Sequence, residues 1–463
     1  MSSRWIGRYA SSLRLLVLSL LPPRRPTPTP GVAYLFGNML SAFARHAATG
    51  ARQAAATPRA MSVAGTPGLM SVTGMRFKSR MAAAEEAKPD TPLRPLEETE
   101  TYDLPAFKTH RMDLGGLPTS TTASGAQLQE YFESMYRMRR METKADELYM
   151  TGHVRGFCHL YNGQEAVAVG VEAAVSYEDY LITAYRNHCQ QLARGDTVEA
   201  VLSELTGRVT GCSGGKGGSM HLYKPENRYF GGNGIVGAQG PLGTGLAFAA
   251  KYQGTKNVAI SMFGDGAANQ GQIFEALNMA QLWRLPIMFM CENNRYGMGT
   301  STARAAASGD FYTRGDYAAG LYIDGMNVLA VREGIAYAAE RCRSGEGPVY
   351  VEVDTYRYKG HSISDQGTGY RTTDEVQSMK ASRDPIDQVK TMLVDGGWAT
   401  LQSLKGVERS LRKEVDAAVK FATEAPQPPP EHLWKDVLSP SASGESVVRG
   451  TLVTKGGKVG TPL

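Results

Sequence analysis

The sequence predicts an α/β protein: an open, mostly parallel sheet with helices on both faces. Three observations carry that prediction. Between residues 257 and 353, strand-like and helix-like segments alternate as "NVAISMF", "QGQIFEALNMAQLW", "PIMFMCE", "REGIAYAAERCR" and "PVYVEV". The strand segments are almost wholly apolar instead of alternating, as expected where both faces of a sheet are covered. The first two strands run into polar, glycine-bearing turns, and open α/β sheets bind ligands at the carboxyl ends of their strands.

The elements follow in chain order. Residues 1–84 contain no Asp or Glu but ten Arg and Lys78, the composition of an organelle-targeting presequence, and point to the mitochondrial matrix. The apolar run "LLVLSLL" at Leu15–Leu21 also fits the core of a secretory or plastid signal, and it is too short to span a membrane. Residues 85–124, rich in Pro, Thr, Gly and Glu, read as an extended N-terminal arm. The body, 125–438, opens with a helical pattern over 126–150, broken at "GFCHLYNGQ" and resumed in "EAVAVGVEAAV". A strand, "DYLITAY", and a helix near Val198–Thr206 lead to two glycine-dense loops, "GCSGGKGGSMHLY" and "FGGNGIVGAQGPLGTG", whose length marks them as functional. A helix through "LAFAAKY" precedes the alternating region, where Ile273, Ala276, Leu277 and Ala280 share one helix face. Asp384 and Pro385 open a further helix, "APQPPPEHLW" closes the body, and 439–463 form a polar tail.

Charge and cysteines exclude several classes. Without the presequence, the 50 basic residues fall by 11 to 39 against 45 acids, a net charge near −6. No basic cluster interleaved with aromatics remains, so nucleic-acid binding is disfavoured. Cys158, Cys189, Cys212, Cys291 and Cys342 are odd in number and lack a CxxC pair, which indicates neither a disulfide framework nor a zinc site.

The chemistry concentrates in "GDGAANQG" and "ENNRYG". Asp265 and Asn294 lie 29 residues apart, room for one helix and its turns, so one right-handed crossover puts both at the same sheet edge. A carboxylate, an amide oxygen and the backbone carbonyl of Tyr296 are hard ligands suited to magnesium, which fills its remaining positions with phosphate oxygens and water. Gly264 and Gly266 let the backbone approach closely, and the following helix N-terminus favours an anion. A lone Asp between strand and helix is commonly just a cap; its pairing with "NN" matches the two-part thiamine diphosphate signature. "GGKGGS" lacks the spacing of a nucleotide phosphate loop. Gly232–Gly237 spells G-x-G-x-x-G, but with no strong strand before it and no acidic strand end after it.

Together "RGFCHL", "LITAYR", "GGKGGSMH", "GGNGIVGAQ", "GDGAANQGQIFEA", "ENNRYGMGTS" and "YRYKGHSISD" resemble the alpha subunit of the pyruvate dehydrogenase first component over most of 125–430. "ENNRYGMGTS" separates the chain from branched-chain 2-oxoacid relatives. The resemblance implies a thiamine diphosphate-binding fold. In it, Asp265, Asn294 and the Tyr296 carbonyl hold Mg2+, while Tyr185, Arg186, Gly234, Val236, Gly266 and Ala267 surround thiamine diphosphate. His361 and His159 would lie beside the reacting centre, and Arg186 would meet the diphosphate. Each has a plainer reading: a surface ion pair for Arg186, a satisfied core imidazole for His159, loop packing for Val236. The implied reaction is decarboxylation of pyruvate with transfer of the acetyl group to lipoyl domains of an acetyltransferase core. A separate beta subunit, in an α2β2 assembly, would supply the acid that activates the cofactor. Ser362 and Ser301 stand where related enzymes are phosphorylated, implying a regulatory kinase and phosphatase; both also read as loop serines capping their own turns. Gly369 and Lys359 depart from the animal pattern, which commonly has Ser and His there. Other readings are an acetoin or branched-chain 2-oxoacid dehydrogenase alpha subunit, and a non-catalytic regulatory paralogue.

Overall fold

The computed structural model describes residues 92–435 and, by backbone alone, a short strand pair near the C-terminus. The presequence expected over 1–84 and most of the tail expected over 439–463 lie outside the described residues. In chain order the elements are β1 (Thr99–Asp103), β2 (Lys108–His110), β3 (Ser120–Ser124), α1 (Gly125–Met150), α2 (Glu165–Glu172), β4 (Tyr180–Ala184), α3 (His188–Ala193), α4 (Val198–Leu205), β5 (Tyr229–Asn233) and α5 (Gln239–Tyr252). There follow β6 (Ala259–Gly264), α6 (Gly271–Leu282), β7 (Ile287–Asn293), α7 (Thr302–Ala305), β8 (Ala319–Asp324), α8 (Val328–Arg343), β9 (Val349–Asp354), α9 (Thr373–Arg383), α10 (Pro385–Asp395), α11 (Leu401–Glu424), β10 (Ser446–Val448) and β11 (Thr451–Val453).

Seven strands form one sheet in the order β2-β8-β9-β7-β6-β4-β5, parallel throughout except for β2 at one edge. On one face Val167 and Val171 of α2 and Val331 and Ile335 of α8 pack against Ile260, Met288 and Val351. On the other, Ala247 and Ala250 of α5 and the predicted stripe Ile273, Ala276, Leu277 and Ala280 of α6 cover Phe263, Phe289 and Tyr350. This two-sided burial is why the central strands read as unbroken apolar runs. A helical layer adds to it. Ser124 caps α1 in a reciprocal box with Gln127, and Leu128, Phe132, Met135, Met138 and Met141, at helical spacing, meet Ile386, Val389, Val415 and Ala418 of α10 and α11. Each such buried side chain contributes roughly 1.5–3 kcal/mol.

Of the arm expected over 85–124, the described residues 92–124 are built into the fold. β1 pairs antiparallel with β3, and β2 joins the sheet edge against β8. Its polar sequences, "TETYD", "KTH" and "STTAS", lie at exposed edges and carry no hydrophobic alternation, so the pattern of the residues could not announce them. The G-x-G-x-x-G stretch also departs from expectation, because β5 does run into it; two of that strand's five residues are glycine, which hides it from propensity.

Candidate active site

The parallel register aligns Gly264 at the end of β6 with Glu292 near the end of β7, so Asp265 and Asn294 emerge at one edge. Both are buried, at 4% and 7% exposure. Gln164 Oε1 accepts from Asn294 Nδ2 at 3.2 Å, which turns Asn294 Oδ1 the opposite way. Arg295 adopts a left-handed φ of 75°, and Tyr296 follows with its carbonyl turned inward. The two oxygens converge: Arg357 Nη1 donates to Asn294 Oδ1 and to the Tyr296 carbonyl, each at 2.9 Å. Burial raises the Asp265 carboxyl above its ordinary pKa, and the positive charge of Arg357 opposes that rise. The amide oxygen and the carbonyl thus face a common point that already attracts a cation, and the buried Asp265 carboxyl feels the same Arg357 charge; hard oxygen donors of these types are the kind a magnesium ion takes.

Around it the site is built for an anion. Arg186, Arg357 and Arg371 are all at least nine-tenths buried, yet none forms an ion pair with a carboxylate among the described residues. Arg186 donates to the carbonyls of Leu160 at 2.7 Å and His361 at 2.8 Å, and Arg371 to those of Arg357 and Lys359. Desolvation and the mutual repulsion of these cations push Arg357 down to about 10. Buried guanidinium groups so poorly neutralised call for a polyanion, and a diphosphate supplies one. Above the turn there is room: a side chain built on Gly264 or Gly266 would meet nothing within 4 Å. The Gly234–Val236 loop lies over the start of α6, where the Val236 carbonyl accepts from Gln272 at 3.0 Å; Gly234 and Val236 are exposed, and Ala267 is buried beside Asp265.

His159, Tyr185 and His361 form the other wall. Ring centroids lie 4.2 Å apart for His159 and Tyr185, 5.3 Å for the two histidines and 5.9 Å for Tyr185 and His361. Tyr185 Oη is 3.4 Å from His361 Nε2. Nδ1 of each imidazole is buried without a protein partner, a place for a ligand's polar atom. Desolvation, then the charge of Arg186, lowers His361 to about 4 and His159 to about 2, so both are neutral near pH 7. The satisfied-core alternative for His159 does not hold, since its Nδ1 is unpaired.

The sequence reading named the donors but missed their supports. Arg357, at the tip of β9 in "YRYKGH", and Gln164, in "YNGQE", stand inside motifs already noticed; their positions at a strand end and beside a loop break were the available signal. The carboxyl of Glu292, raised to about 7 by burial, accepts a buried hydrogen bond from the Tyr161 hydroxyl that no pattern indicated. Ser362 is buried, its hydroxyl 2.9 Å from that of Ser364, while Ser301 is half-buried at the start of α7 without capping it. Lys359 pairs with Asp146 at 2.7 Å, and Gly369 faces open space. A cleft of about 950 Å3 lined by Glu130, Glu172, Asp196 and Glu199 lies elsewhere and shares no residue with this cluster.

Comparison with known proteins identifies the family. Residues 133–431 match the family "Dehydrogenase E1 component". The chain is 49% identical over 365 residues to the rat pyruvate dehydrogenase E1 component subunit alpha, somatic form, mitochondrial, covering 78% of this chain and 93% of the relative. It is 52% identical over 335 residues to the human testis-specific form, covering 72% and 85%. Against the type II mitochondrial alpha subunit of Ascaris suum the identity is 53% over 343 residues, covering 74% and 87%. With that span and identity, the chain belongs to the dehydrogenase E1 component family, whose members depend on thiamine diphosphate.

Proposed function

We propose that this chain is the alpha subunit of a mitochondrial pyruvate dehydrogenase first component, which decarboxylates pyruvate and passes the acetyl group to lipoyl-lysine of an acetyltransferase core. The observation that carries the reading is the convergence of Asn294 Oδ1 and the Tyr296 carbonyl on one point beside the buried carboxylate Asp265. Asp265, Asn294 and Tyr296 would hold Mg2+; Arg186 and the Gly266–Ala267 backbone would meet the diphosphate, with Tyr185, Gly234 and Val236 around the remainder of the cofactor. When bound, thiamine diphosphate supplies the electron sink that a 2-oxoacid needs to lose carbon dioxide.

The chain's own groups would bind, orient and move protons. Neutral His361, held toward Tyr185 and with Nδ1 free, suits accepting or delivering a proton near the substrate. His159 beside it helps to shape a dry wall. No carboxylate of this chain is assigned to activation of the cofactor's aminopyrimidine ring, so a beta subunit is expected to bring one. Localisation in the matrix rests on the acid-free leader and on relatives named mitochondrial. Phosphorylation at Ser301 or Ser362 would place about −1.5 to −2 charges beside an anionic cofactor and weaken its binding; at Ser362 the loop must first open, because the hydroxyl is buried.

The test is calorimetry on the chain co-expressed with its beta subunit. Saturable thiamine diphosphate binding that requires Mg2+ and both chains is expected; binding indifferent to the metal overturns the reading. The ratio of kcat/KM on pyruvate, acetoin and branched-chain 2-oxoacids decides the substrate, with pyruvate expected to lead.

A further inference from the structure

We propose that the buried pair His188–Glu142 is a positioning unit, holding one shared proton that ties the loop bearing His159 to the glycine-rich loop. His188 opens α3 and Glu142 lies on α1, and both side chains are fully buried. The ring reaches an acceptor at each end: Nε2 is 2.9 Å from the Ser219 carbonyl, and Nδ1 is 2.9 Å from Glu142 Oε2. A carbonyl only accepts, so Nε2 carries hydrogen. A neutral ring would then point the bare Nδ1 lone pair at a carboxylate oxygen, an arrangement that costs a full buried hydrogen bond. The pair therefore keeps an extra proton in the contact between Nδ1 and the Glu142 oxygen.

That proton lies at a junction of three segments. Glu142 Oε1 accepts the Tyr161 N–H at 3.0 Å, which anchors the Phe157–Tyr161 loop to α1. Ser219, whose carbonyl meets His188, donates its own hydroxyl to the Phe157 carbonyl. His159 lies between these two anchors, its ring against Tyr185. The titratable groups facing the pair are Arg186 just before α3, Cys189 within it, and Cys158 and His159 on the loop. Burial pushes both thiols up, so they stay neutral. Burial, the largest influence, and the charge of Arg186 oppose the extra proton, while Glu142 and the Ser219 carbonyl together outweigh them and raise His188 above its ordinary value. With a raised folded pKa, the tie is intact below the unfolded value and is lost as pH rises through the folded one.

Glu142→Gln separates the proton from the geometry. The amide would donate to Nδ1 of a neutral ring and still accept from Tyr161, leaving nothing to titrate. The experiment is hydrogen–deuterium exchange of segments 156–164 and 213–221 in the complex with the beta subunit, from pH 6.5 to 9.5, corrected for intrinsic rates. In the natural chain, protection is expected to fall about tenfold per pH unit once the proton leaves. Glu142→Gln should be flat over the range, and His188→Asn should be unprotected throughout. Equal pH dependence in the natural chain and Glu142→Gln overturns the proposal, and so does a flat profile in the natural chain. The link to catalysis rests on the pyruvate reading above: kcat/KM should show the same alkaline limb and lose it in Glu142→Gln. A complex that turns over no pyruvate defeats that reading, while the exchange result still decides the tie.

Discussion

One nitrogen, Arg357 Nη1, bonds both the Asn294 amide oxygen and the Tyr296 carbonyl, so the geometry of the proposed cation site is fixed by its neighbours as much as by its donors. Two substitutions separate those contributions. Asp265→Ala removes the only carboxylate of the set and should weaken Mg2+-dependent cofactor binding by more than about 100-fold in calorimetry. Gln164→Leu keeps every donor but frees the Asn294 amide to rotate, and should cost roughly 10–100-fold in metal affinity. Acid sensitivity is argued from His159 and His361. Both folded pKa values lie below the ordinary 6.5, at about 2 and about 4, so the unfolded chain binds more protons below that value. Stability should therefore fall as pH drops from about 6.5 towards 4. A His159→Asn, His361→Gln double variant should lose less thermal stability over that interval than the natural chain does.

At the scale of elements, the glycine-rich loop after α4, which lacks the spacing of a nucleotide phosphate loop, has a structural use. "GGKGGS" does cradle an anion through its backbone, but the anion is the chain's own: Glu204 of α4 accepts from the N–H groups of Ser213, Gly215 and Gly217 at 2.8, 2.8 and 2.6 Å. Gly215 sits at φ 74°, where an added Cβ would come within 2.5 Å of the Arg208 carbonyl oxygen. Glu204→Gln should destabilise the fold by about 1–3 kcal/mol, read as a lower Tm, because the amide nitrogen replaces one of the two carboxylate oxygens and sets a donor against at least one of the three N–H groups. The same contrast explains what the sequence could disclose. β6, β7 and β9 with the helices between them announce themselves by apolar runs and helical spacing, and Asp265 and Asn294 by falling at strand ends. The edge strands β1–β3, glycine-bearing β5, Arg357 and the Glu292–Tyr161 bond owe their form to partners distant in sequence, which a local pattern does not encode.

For the whole molecule, apolar side chains remain exposed on the loops that bear the candidate site. Exposed apolar side chains ring the cluster, with Phe157 at 64%, Ile235 at 70% and Met298 at 68% exposure. From Ile235 and Val236 the apolar surface continues along the chain through Leu242, Phe248 and Tyr252 of α5. It extends onto α6 at Met279 and Leu282 and just beyond that helix at Trp283, whose ring lies 5.8 Å from that of Phe248. Single exposed apolar residues need no explanation, but a surface of this extent starting at an incomplete site marks an interface. A beta subunit is the occupant this surface is expected to take, because the relatives of this chain are alpha subunits of their component and, on the proposed function, an acid that activates the cofactor would come from the partner. Aromatic side chains dominate the energetics of such contacts, and a charge in their place leaves the partner's apolar surface facing an unpaired ion. Trp283→Glu, on the surface and 45% exposed, should leave the fold of the alpha chain intact. It should weaken association with the beta subunit by roughly 30-fold or more, measured by titration calorimetry of the two purified chains. Unchanged association would move the interface to another face, and a variant alpha chain that loses self-association instead would assign this surface to a second copy of the same chain.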